Sequence, residues 1–67
     1  VTVVDVRKRV SGIRRAAAEH DSESAHGQAD NLMLDALAAI ATGVSDPARL
    51  AAEVLKIEKI DFEWWCA

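Results

Sequence analysis

The chain has 67 residues, a net charge of −3, 51% hydrophobic residues and 28% charged residues. That balance belongs to a folded globular chain and excludes a disordered one. No apolar run approaches the ~20 residues needed to cross a bilayer, and a single cysteine excludes an internal disulfide.

One domain is expected. A chain of this size buries only about 60% of its unfolded surface, so its core is marginal and an extra source of stability is anticipated. No Cys/His spacing suits zinc, which leaves a partner chain or a second copy of itself. No basic-then-apolar layout marks a signal peptide, so the expected setting is cytoplasmic. Charge is unevenly placed. Residues 1–15 hold five bases against one acid, net +4, and residues 16–67 hold three bases against ten acids, net −7. The two parts are expected to attract each other, within one fold or between copies.

Val1–Val4 have the β-branched character of a strand, but no second strand offers itself for pairing. The better reading enters helix near Thr2 or Asp5. Val3, Val6, Val10, Ile13 and Ala17 then step by three and four residues, a narrow apolar stripe. Ser11-Gly12 interrupts it, marking a weak point, a kink or a close helix contact. The polar linker His20-Asp21-Ser22-Glu23-Ser24 follows, with Asp21 or Ser22 as cap of the next helix.

Ala25–Ala41 has the clearest helical period. Its apolar residues are Ala25, Ala29, Leu32, Met33, Ala36, Leu37, Ile40 and Ala41. Gly43 ends that helix. Asp46 caps a third, and Pro47 occupies its first position, where no amide hydrogen is missed. Leu50, Ala51, Val54, Leu55 and Ile57 or Glu58 carry the period onward. In the tail, Ile60, Phe62 and Trp64 alternate with Asp61 and Glu63, which fits an extended segment or a short helical turn capped by Asp61.

The expected architecture is all-α: three helices over about Thr2–His20, Ser22–Thr42 and Pro47–Lys59, with an aromatic C-terminal cap. Val10, Ile13, Leu32, Leu37, Ile40, Leu50, Val54, Leu55, Phe62 and Trp64 are the expected core.

Candidate chemistry is sparse. His20, Asp21, Glu23, His26 and Asp30 gather imidazoles and carboxylates, and His26 and Asp30 share a helix face. Their spacing matches no metal motif, and a polar loop beside a helix end explains them. Arg7, Lys8, Arg9, Arg14 and Arg15 have the charge to contact phosphates. No aromatic stacking residue interleaves them, and a solvated helix face is the simpler reading. Trp64 and Trp65 point in different directions in any regular structure, so one packs inside and the other is partly exposed. The exposed one either meets a partner or lies under Lys and Arg stems. Cys66 has no base beside it in sequence and reads as a small apolar residue.

The stretches AHGQADNLMLDALAAIATG (25–43), DPARLAAEVLKIEKIDF (46–62) and WWCA (64–67) resemble those of short helical proteins encoded by actinobacteria and their phages. The resemblance implies a small phage-related accessory protein. That set has no assigned activity, so no functional residue is carried over. The expected function is therefore a non-catalytic interaction module that binds a protein partner or itself, without metal or cofactor. Arg7, Arg14, Arg15, Trp64 and Trp65 are the expected partner-binding residues, joined by the helix-one stripe. The alternative is a nucleic-acid-binding regulator using the basic N-terminal helix.

Overall fold

A computed structural model describes residues 1–62. Three helices, α1 (Val3–Ala18), α2 (Ser22–Ala41) and α3 (Pro47–Val54), are followed by a 3₁₀ segment, Leu55–Lys59. The all-α class holds, with no strand among the described residues.

Each helix starts on a side chain that satisfies otherwise unpaired amides. Thr2 caps α1 in a reciprocal box: the Asp5 amide donates to Thr2 Oγ1 and the Thr2 amide to Asp5 Oδ2, both at 3.2 Å. Asp21 Oδ1 accepts from the Ser24 amide at 3.1 Å, and Asp46 Oδ1 from the Arg49 amide at 3.1 Å ahead of Pro47.

Both long helices stop the same way. At the end of α2, the Gly43 amide donates to the Ile40 carbonyl and the Val44 amide to the Ala39 carbonyl, each at 3.1 Å, with Gly43 at φ 90°. At the end of α1, the His20 amide donates to the Ala17 carbonyl at 3.0 Å and the Asp21 amide to the Ala16 carbonyl at 2.9 Å. This is a Schellman closure, but the left-handed residue is His20, at φ 58°. Histidine is one of the few side chains that visits this region at all often.

Val6, Val10, Ile13 and Ala16 of α1 meet Ala25, Ala29, Leu32 and Ala36 of α2, with Leu50, Val54 and Ile57 closing the core. The alanines let the helix backbones approach. Ile13, Leu32, Leu50 and Val6 are the largest fully buried side chains, each contributing about 1.5–3 kcal/mol by leaving water. The Gly12 interruption is a close contact: a Cβ there would lie 3.0 Å from Gln28 Oε1.

The expected core needs correction at two leucines. Leu37 is 62% exposed and Leu55 59% exposed. Leu37 lies about 100° around α2 from the buried Ala36, past the edge of what α1 and α3 cover. Leu55 turns outward because it lies about 100° around the helix from the buried Val54 and about 140° from the buried Leu50. α3 does not continue to Lys59 as one α-helix but tightens after Val54 into the 3₁₀ segment, where Ile57 keeps to the core side. Ile40 and Phe62 are half-buried against the core. Trp64, Trp65 and the rest of the expected aromatic cap lie outside the described residues.

Candidate functional site

The two outward leucines flank a groove of about 400 Å³ between α2 and α3. Met33, Leu37 and Ile40 form one wall, Ala51 and Leu55 the other, and the buried Ala36, Val54 and Ile57 lie at its base. Glu58 is its one ionisable lining residue among the described residues. The chain after α3 runs back toward the α1–α2 turn, since Lys59–Asp61 lie beside Ala17, Ala18 and His20. Glu58 therefore marks the end of the groove nearer the start of α2. Asp30 belongs to that same end. It is one turn before Met33 on the helical row His26, Asp30, Met33, Leu37.

The expected attraction between basic and acidic parts operates inside the fold. Arg7 Nε donates to Glu53 Oε1 at 3.2 Å, while Lys56 Nζ donates to Oε1 at 2.9 Å and Oε2 at 3.1 Å. Glu53 is the buried charged residue among those described, at 8% exposure. The hydrogen bonds from Arg7 and then Lys56 hold its carboxyl below the usual glutamate range, against the opposing effect of burial. Arg9 Nη1 reaches Asp35 Oδ2 at 2.7 Å, tying α1 to α2.

The sequence-derived candidates are thus dispersed. Arg7 is engaged by Glu53. The helix-one stripe is core, since Val6 and Ile13 are fully buried and Val10 nearly so; it offers no docking face. Arg14 and Arg15 are exposed, with no ion pair among the described residues. Arg14 borders a second, more open depression of about 450 Å³ with His20 and Lys59, a grouping that sequence distance conceals. Trp64 and Trp65 lie outside the described residues. His26 Nε2 pairs with Asp30 Oδ2 at 3.3 Å, while His20 serves the α1 terminus through its backbone. Among the described residues no three His, Cys, Asp or Glu side chains are gathered as metal ligands would be. No helix there is long and apolar enough to cross a membrane.

Fold and groove together define a small three-helix domain with an open apolar cleft between its second and third helices. No protein-family model, curated protein or solved structure matches the chain.

Proposed function

We propose that the chain is a small non-catalytic interaction module that binds a protein partner, or itself, through the α2–α3 groove. The observation that carries this reading is the pair Leu37 and Leu55, both more than half exposed on either side of an apolar cleft. Covering the exposed part of such a leucine is worth about 1–2 kcal/mol. Nothing in the core requires either side chain to stay in water. An accessory role, which the likeness of residues 25–67 to short helical proteins of actinobacteria and their phages implies, is part of the same proposal. The test is a Leu37→Asn, Leu55→Asn variant: its helical circular dichroism should match the parent while association, followed by sedimentation over a concentration series and with candidate partners, is lost. Unchanged association in that variant sinks the reading.

A second reading, nucleic-acid binding, draws support from Arg14 standing with Lys59 and His20 around one depression, where Asp61 opposes it, and from Arg15 exposed on the same helix. Phosphate binding there predicts retention on DNA or RNA that weakens steeply with salt. It also predicts loss of retention in Arg14→Glu, Arg15→Glu. Absence of retention at low salt rejects it.

A further inference from the structure

We propose that the occupant of the α2–α3 groove is an amphipathic helix of another protein, with apolar residues at i, i+3 or i+4 and i+7 and a basic residue one turn beyond them. The inference rests on the interaction reading above and names its partner by chemistry.

Length supports a helix. The α2 wall runs from Met33 to Ile40, about 10 Å at 1.5 Å per residue, the same span as i to i+7 on a docked helix. Two helical walls with a base of side chains form the kind of groove into which a third helix lays its apolar row.

Charge decides which helix. Of its charged residues, α2 has Glu23, Asp30 and Asp35 and no lysine or arginine. Asp35 is taken by Arg9. Glu58 lines the groove and is exposed, and Asp30, also exposed, lies one turn before the lining residue Met33 on α2. His26 lies alongside, paired to Asp30, and Lys59, next to Glu58, borders the depression beside Arg14. A basic residue one turn past the apolar anchors would meet the two carboxylates.

The same charges disfavour a second copy. A two-fold pairing of these faces sets Asp30 and Glu58 against an equally acidic end or leaves them unpaired at the rim. The basic helix α1 does not supply the missing occupant, because Val6, Val10 and Ile13 are already buried and only Val4 and Val1 remain exposed at its start.

The test uses the whole chain and two designed helical peptides of about 16 residues. They share leucines at the three anchor positions and differ in flanking residues, lysine in one and glutamate in the other. By calorimetry at low salt, the lysine peptide should bind about tenfold tighter than the glutamate peptide. Asp30→Lys with Glu58→Lys should reverse that preference, and Leu37→Asp with Leu55→Asp should abolish binding of both while leaving helical circular dichroism unchanged. Equal affinity for the two peptides, both lost in the leucine variant, overturns the basic-partner inference and leaves the interaction reading standing. A dimer abolished by the leucine variant, with neither peptide bound, assigns the groove to a second copy. Binding that appears only when the chain is shortened after Phe62 assigns it to residues 63–67. Either result overturns the proposal. No peptide binding and no self-association overturns both readings.

Discussion

Arg7 Nε stands 3.2 Å from Glu53 Oε1, joining residues 46 positions apart and fastening α3 to the first turns of α1. Because Arg7 and Lys56 lower the Glu53 carboxyl in the folded state, its contribution is fully present above the unfolded carboxylate pKa, about 4.3. It is lost as pH falls through the lower folded value. Asp5 acts in the same sense, held down first by the hydrogen bond from the Thr2 backbone. Urea midpoints should therefore fall on acidification below about pH 4.3. Glu53→Gln should lower the midpoint at neutral pH and shrink the acid-dependent drop. An unaltered acid profile in that variant would show that the carboxylate does not fasten α3.

His20 holds a left-handed backbone conformation, φ 58°, where a Cβ costs about 1–2 kcal/mol. Glycine relieves that strain and returns part of the gain as unfolded-state freedom. Expected for His20→Gly is a net stabilisation of about 0.5–1 kcal/mol, read as a rise of several degrees in the midpoint of a thermal melt. A fall would mean that the imidazole makes a contribution larger than the backbone strain.

Two leucines on the same helix should respond to truncation by very different amounts. Leu32 is fully buried, so Leu32→Ala should cost about 2–5 kcal/mol, a large part of the stability of so small a domain. Leu37 faces solvent, and Leu37→Ala should change stability by about 0.5 kcal/mol or less. Equilibrium urea unfolding of the two variants checks the contrast. Comparable losses would place Leu37 in the core and remove the groove.

The glycines inside helices separate propensity from packing. A Cβ at Gly27 meets nothing within 4 Å, so Gly27→Ala should stabilise by about 1 kcal/mol. At Gly12 the added carbon lies 3.0 Å from Gln28 Oε1, and Gln28 Nε2 is donating to Ser24 Oγ at 3.0 Å. Gly12→Ala should gain less, with the shortfall recovered in Gly12→Ala, Gln28→Ala. Urea titrations of the single and double variants measure that coupling.

Punctuation in the chain was legible because it is local. Asp21, Asp46-Pro47 and Gly43 act through atoms within a few residues, and the structure uses each as its chemistry dictates. The alternating three- and four-residue steps also located the helices. What the periodicity lacked was the third direction: a stripe as wide as that of α2 does not say which edge α1 and α3 leave bare, so Leu37 was indistinguishable from Leu32. Leu55 likewise sat on one edge of the α3 stripe, and the period alone does not say which edge the other helices leave bare. Charge asymmetry foretold attraction between the two parts. Its agents, Arg7 with Glu53 and Arg9 with Asp35, emerged only once the helices were placed. The juxtaposition of Arg14 with Lys59 was hidden for the same reason.

The brevity of α3 has a kinetic consequence. Eight residues of α-helix tightened into a 3₁₀ turn make a smaller cooperative unit than the α1–α2 hairpin. Amide exchange should release α3 before the hairpin gives way, as a separate opening step. The wall carrying Ala51 and Leu55 is then the more yielding side of the groove, and a bound helix would register first as slowed exchange along α3.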